Sequence, residues 1–520
     1  MSHSIHPVTK GGAESKELTL SSLDEIIQRL RIEQESLAIR FAEVDAAVRH
    51  AEVQRAKILN ETVRVCGIIP EILSTIFEFA KSMVEWDFDD AQSYYEGDDT
   101  ASGIPFELVI SHTCSHFRNV AIGTHRLWTS IRITPGTRLE SVAAYIARSG
   151  SCLLDMRIDL SGCVHTPGGL TMKMIDMILP EAYRWKRLEI ASSREGEDTP
   201  LIKRLCDREV PALEHLSICV DEIESADRSI VDGSSTQPHI FTRGAPKLSF
   251  VRLRGVGMHF FRPPLTSVIT LHLDQTRPIS MPYPRLREIL TASPRLEYLS
   301  IYGDIIEQDS WAGEQSPVDL PALKSLRICG VGGKVYSGLL LAINAPLLES
   351  LILKAVLEHD IDRFLESADV TRFPRMQALT FCDFDLSSFA YKNIFRAFPA
   401  ITTFTSFYSY ANTSTVSKLL VQDPEDVPSP DTRVPWPKLH TLTFLFDLND
   451  EDCLEDVVER RKVSGFPLGR LRLGTTYQEA FLELCDESNI REQVVMESFS
   501  NLDRWPPNRD YLDHYDILFE

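Results

Sequence analysis

The stretches VPALEHLSI (210–218) and LPALKSLRI (320–328) share one phrase, Pro-x-apolar-x-x-apolar-x-apolar, and its recurrence decides the fold. The phrase returns as APKLSFVRL (245–253), SPRLEYLSI (293–301), APLLESLIL (345–353), FPRMQALTF (373–381), FPAITTFTS (398–406) and WPKLHTLTF (436–444). Looser copies lie at Leu153, Met156 and Ile158, at Trp185, Leu188 and Ile190, at Val268, Leu271 and Leu273, and near Leu471 and Leu473. Successive copies stand roughly 20 to 38 residues apart, the spacing of a repeat array. The last two apolar positions alternate as in a short strand with one buried face, the first turns the chain into it, and the proline ends whatever helix came before. Segments between the phrases, such as YSGLLLAIN and HDIDRFLESADV, have helical spacing.

Strand and helix therefore alternate, and parallel strands joined by right-handed crossovers predict a curved α/β solenoid over 150–477, its sheet on the concave face. The usual leucine-rich pattern places Asn or Cys three residues after the strand. Here those places hold Asp221, Val256, Asp304, Val331, Val356, Phe384 and Asp447, so no regular ladder forms and an irregular array is expected. Glu214, His215 and Ser217, or Lys324, Ser325 and Arg327, would project from the concave face, and their mixed charge suits a protein partner. Residues 478–520, with Trp505, Tyr511, Leu512 and Tyr515, read as a cap over the open end of the last repeat or as a frayed tail.

The N-terminal quarter follows another rule. Residues 1–17 are poor in apolar side chains and are expected to be disordered. Over 18–62 apolar residues recur in steps of four and three, through Leu23, Ile27, Leu30, Leu37, Phe41, Val44, Val48, Ala51 and Ile58, with Gln34, Arg55 and Thr62 at the remaining seam positions. One long coiled-coil-like helix follows, whose seam either docks on its own chain or a partner, or pairs with a second copy through residues 23–62. Next comes IIPEILSTIFEFA (68–80), a proline-led helix with an apolar face at Ile72, Leu73, Ile76 and Phe77. No Lys or Arg occurs between Ser82 and Phe117, and the acidic stretch 85–104 reads as a loop without the glycine-centred spacing of a calcium site. Helical spacing resumes through Leu108, Ile110, Cys114, Phe117, Val120 and Ala121 and closes on Leu127, Trp128 and Ile131. On one continuous helix Cys114 points to a different face from His112 and His116 and cannot join them around a metal, so Cys114 is expected in the core and the histidines near the surface.

The 520 residues carry a net charge of −21, which argues against general nucleic-acid binding. Ten scattered cysteines without a framework, no signal-peptide segment and no run of eighteen apolar residues predict a reduced protein of the cytoplasm or nucleus, with no membrane span. Asn60 and Asn412 begin glycosylation sequons that carry no weight without a secretory signal. No phosphate loop, zinc-protease helix or nucleophile elbow is present, since the Gly-Gly-Lys of CGVGGKVYSG lacks the spacing and reads as an inter-repeat turn. Neither catalysis nor a cofactor is expected.

Residues 63–132 resemble the F-box of F-box-like proteins, especially the type abundant in mushroom-forming fungi. The match runs through Ile68, Ile69, Pro70, Glu71, Ile72, Leu73, Ile76 and Phe77, then Cys114, Phe117, Arg118, Val120 and Ala121, and ends at Leu127 and Trp128. Ile68 and Ile69 stand where that family has Leu and Pro, and Phe117 replaces Trp. The resemblance implies a substrate receptor of a cullin-RING ubiquitin ligase, non-catalytic, docking a Skp-type adaptor through these residues and holding a protein substrate on the solenoid. Substitution of Leu73 or Trp128 would then abolish adaptor binding. A scaffold protein with a degenerate F-box and no ligase role is the alternative.

Overall fold

The computed structural model describes residues 11–88, 104–160, 169–194, 200–222, 240–255, 261–275, 280–306, 311, 317–330, 333–367, 372–409, 420, 434–444, 452–475, 478, 481–482, 487–499 and 505–507. Residues 1–10, the acidic loop from 89 to 103, the sequon at 412–414, Val256, Val331, Asp447 and most of the expected cap lie outside them. The chain divides into two compact units, one of residues 1–81 with 103–124, the other of 82–102 with 125–520.

The first unit opens with α1 (Gly11–Glu61), whose 51 residues cover on the order of 75 Å at 1.5 Å per residue. It corrects the expectation of disorder up to residue 17. Once a long helix exists, each further residue adds a hydrogen bond without a new nucleus, and Ala13, Glu14, Lys16 and Glu17 are good helix formers. A 3-10 turn (Arg64–Gly67) leads into α2 (Pro70–Phe88), with Pro70 at the first helical position, where its missing N–H costs nothing. The expected single helix around Cys114 is two, α3 (Phe106–Thr113) and α4 (Ser115–Gly123). Cys114 is extended between them, at φ −155°, and its Sγ accepts from the Phe117 N–H at 3.4 Å as the cap of α4.

The second unit is mixed α/β. Its strands are β1 (Ser130–Ile133), β2 (Leu154–Asp159), β3 (Trp185–Arg194), β4 (His215–Glu222), β5 (Phe250–Gly255), β6 (Thr270–Asp274), β7 (Tyr298–Tyr302), β8 (Val318–Asp319), β9 (Ser325–Cys329), β10 (Ile343–Asn344), β11 (Ser350–Lys354), β12 (Ala378–Phe384), β13 (Thr403–Ser409), β14 (Thr441–Phe444), β15 (Arg470–Gly474) and β16 (Val495–Phe499). Apart from the short β8–β10 pair, they form one parallel sheet of 14 strands in chain order. Helices α5 (Leu139–Arg148), α6 (Gly169–Ile178), α7 (Pro200–Cys206), α8 (Tyr283–Thr291), α9 (Lys334–Ala342), α10 (Glu358–Ser367), α11 (Ser388–Ala397), α12 (Asp452–Val463) and α13 (Glu487–Gln493) lie between strands in the chain.

The recurring phrase acts as a turn followed by a strand. In Val210–Leu213, Ala245–Leu248, Ser293–Leu296, Leu320–Leu323, Ala345–Leu348, Phe373–Met376 and Trp436–Leu439 the last N–H donates to the first carbonyl at 2.9–3.2 Å. Proline is the second residue of each, where its fixed φ suits the turn. The strand register then aligns Ile131, Met156, Leu188, Leu216, Val251, Leu271, Leu299, Leu326, Leu351, Leu379, Phe404, Leu442 and Leu471 in one buried row across the sheet. On that side α9 packs on α10 and α10 on α11. Toward β14 the filling turns aromatic, with Phe364 stacked on Phe398 at 6.0 Å and Trp436 edge-on to Phe395 at 4.7 Å. No described helix is long and apolar enough to cross a membrane.

The Gly-Gly-Lys turn has its own logic. Gly333 caps α9 at φ 92°, and a Cβ there would collide with Asp360 Oδ1. The Asp360 carboxylate thus sits at the helix N-terminus, the place a bound phosphate would need.

Candidate functional site

Helix α2 has two unlike faces. Leu73 and Phe77 are buried, and the Phe77 ring meets Phe117 edge-on at 5.1 Å. Lys81, 7% exposed, faces Glu107 at 3.6 Å, and Ser74 shares a hydrogen bond with Thr124 at 2.8 Å. His116 Nε2 reaches the Ile68 carbonyl at 3.2 Å, while Arg118 Nε donates to the Ser111 carbonyl at 2.8 Å. Val120 and Ala121 complete the core of this unit. The opposite face presents Ile69 (56% exposed), Ile72 (53%), Ile76 (46%), Phe79 (66%) and Met83 (58%), an apolar stripe in steps of three and four. Pro70 and Glu71 are exposed at its head.

The expected contact set therefore splits. Ile69, Pro70, Glu71, Ile72 and Ile76 are exposed, Ile68, Cys114 and Phe117 are half-buried, and Leu73, Phe77, Val120 and Ala121 face inward. Leu127 and Trp128 belong to the second unit, at the head of its sheet, both fully buried. There Trp128 meets Tyr145 edge-on at 5.1 Å and lies under the Arg148 guanidinium at 4.3 Å. The expected core placement of Cys114 is likewise corrected: it is half-buried because it ends one helix and caps the next. Burial, and then the hydrogen bond with Cys114, push the Cys66 thiol up. Among the described residues no three His, Cys, Asp or Glu gather to hold a metal ion. Phe79 and Met83 extend the exposed stripe beyond the residues expected from the sequence, at a spacing from Ile72 and Ile76 that the sequence already carries.

The second candidate surface is the polar face of the large sheet. The residues expected to project freely from it, His215, Ser217, Ser325 and Arg327, do lie on that face but are at most 5% exposed. His215 stacks flat on Phe250, with ring centroids 4.2 Å apart. Arg252 is fully buried, with Nε 3.2 Å from Asp274 Oδ2. His272 Nδ1 lies 2.6 Å from one Arg252 nitrogen and 3.3 Å from one Arg327 nitrogen, a position between two guanidinium donors that assigns it as an acceptor and the proton to Nε2. Arg327 Nε donates to Ser300 Oγ at 2.8 Å. Farther along, burial raises the thiol of Cys329 to about 11 and that of Cys382 to about 12.

Trp505 closes over this network. Its Nε1 donates to Ser325 Oγ at 2.8 Å, its ring lies 4.1 Å from the Arg327 guanidinium carbon, and His272 and Tyr298 meet it edge-on at 5.4 and 6.0 Å. Instead of covering the last strand, as the sequence pattern suggested, Trp505 lies on β6, β7 and β9 in the middle of the sheet.

Fold and surfaces together define a class: a small helical unit with an exposed apolar helix face, followed in the chain by a parallel α/β sheet of repeating turn-strand units. No family model matches the chain, and no curated protein matches it.

Proposed function

We propose that the chain is an F-box-type substrate receptor of a cullin-RING ubiquitin ligase, its second unit an irregular leucine-rich-repeat-like solenoid that holds a protein substrate. The carrying observation is the stripe Ile69, Ile72, Ile76, Phe79 and Met83, left exposed while Leu73 and Phe77 anchor the same helix from behind. Large apolar side chains grouped on one helix face are a docking surface, and burying each is worth about 1.5–3 kcal/mol. A Skp-type adaptor is the occupant that the resemblance of residues 63–132 supplies. In chain order the helical unit precedes the repeats, the arrangement of a receptor that ties an adaptor to a cargo-binding array.

The test is co-expression of the full chain with a Skp-type adaptor, followed by size-exclusion chromatography. Co-elution is expected, and Ile72→Glu with Ile76→Glu removes it while the thermal melt stays in place. A folded chain that fails to co-elute would replace this reading with that of a scaffold lacking a ligase role.

A further inference from the structure

We propose that Ser325, Arg327, Tyr298 and His272 form a tryptophan-binding site on the polar sheet face, filled in the isolated chain by Trp505, which receives a tryptophan of a protein partner when Trp505 leaves. The four residues come from three adjacent strands of one register and treat each part of an indole differently. Arg327 lies over the π face, Ser325 accepts from the ring N–H, and Tyr298 and His272 present edges. An indole is the side chain that uses all of these contacts, since it joins a cation-binding face to a single donor.

The site does not depend on Trp505 for its shape. Arg327 is held from behind by Ser300 Oγ at 2.8 Å and by His272 Nδ1 at 3.3 Å, and both strands that carry these groups are central in the sheet. A guanidinium fixed in this way stays aimed after the indole departs, so little ordering cost remains for a second ligand. The resident is different in kind. Trp505 lies in a bend and turn at 505–507, is half-buried, and is 180 residues from the serine it bonds. Tethering gives it an effective concentration on the order of millimolar, and a competing segment is weakened by the ratio of that concentration to the dissociation constant of the Trp505 contact itself, so removing Trp505 is read as a gain in the competitor's affinity. The inference rests on the reading of the sheet as a protein-binding face, and makes no use of the adaptor-binding helix.

The probe is a fluorescein-labelled peptide of residues 500–512, titrated by anisotropy into three full-length proteins: native, Trp505→Ala, and Trp505→Ala with Arg327→Gln. Expected are binding to the Trp505→Ala chain at least about tenfold tighter than to the native chain, loss of that gain with Arg327→Gln, and loss when the peptide's own tryptophan becomes alanine. A folded Trp505→Ala chain that binds no better than native overturns the proposal. If Trp505→Ala does not fold, Trp505→Phe, which keeps a ring but loses the Ser325 bond, takes its place. Absence of peptide binding there makes Trp505 a structural strap only, which also overturns it. Adaptor co-elution measured on the same proteins separates the two readings, because it is unchanged by these substitutions whatever the peptide does.

Discussion

Ile72 and Leu73 are adjacent in the chain and opposite in consequence. Leu73 is 1% exposed, so Leu73→Ala should lower the stability of the helical unit by about 2–5 kcal/mol, read as a drop in the denaturation midpoint. Ile72, half exposed, should leave that midpoint unchanged as Ile72→Glu and weaken adaptor binding by about thirtyfold or more, the value of one interface anchor. Trp128→Ala belongs with Leu73: it removes a fully buried ring and should cost about 3–5 kcal/mol of folding without touching a docking face. The thiols divide in the same way. In the native protein at neutral pH, alkylation followed by mass spectrometry should mark Cys152 and Cys206, which are half-buried, and spare Cys219, Cys329 and Cys382. Burial holds the Cys329 and Cys382 thiols protonated far above that pH. Arg461 is the buried charge to watch. Burial brings its guanidinium down to about 10, and it donates to the Pro435 and Trp436 carbonyls at 3.0 and 2.8 Å. Arg461→Leu strands those carbonyls and should destabilise the turn before β14 by about 1–3 kcal/mol, read by local hydrogen exchange.

At the scale of elements, α1 carries its seam in the open: Leu23, Leu30, Leu37, Val44 and Ile58 are between 51% and 63% exposed. The same positions read as a heptad put Ile27, Gln34, Phe41, Val48 and Arg55 at a and the leucines at d, a pattern in which a polar a residue disfavours larger bundles. We propose pairing with a second copy, and analytical ultracentrifugation should show a dimer that Leu30→Glu with Leu37→Glu converts to monomer. This helix was legible from spacing alone, because a 3.5-residue period over six heptads admits few other structures. The break at Cys114 was not, since a thiol is a weak acceptor and no propensity rule marks it as a cap. The turn-strand phrase was legible for a stronger reason: proline, a buried leucine and two alternating apolar residues each constrain a different dihedral or face, and all agree. The α2 site was half legible. Its apolar residues were apparent, but which of them faces inward depends on where Phe117 packs, a tertiary fact.

At the scale of the whole chain, alternation identified the polar face of the sheet and could not say what covers it. The indole that lies on His272 and Arg327 comes from Trp505, 180 residues beyond Ser325, a separation outside the reach of any local pattern. The sheet itself is the opposite case, since each of its strands pairs with its neighbour in chain order. That order has a consequence for birth on the ribosome. Strands can be added one by one as they emerge, without waiting for later sequence. At about 5–20 residues per second, Trp505 appears roughly 9–36 s after Ser325, whose 180-residue separation sets the delay. Throughout that interval Ser325, Arg327 and His272 are without the indole that later lies on them, so chaperones and early-binding partners meet a different molecule from the one that leaves the ribosome.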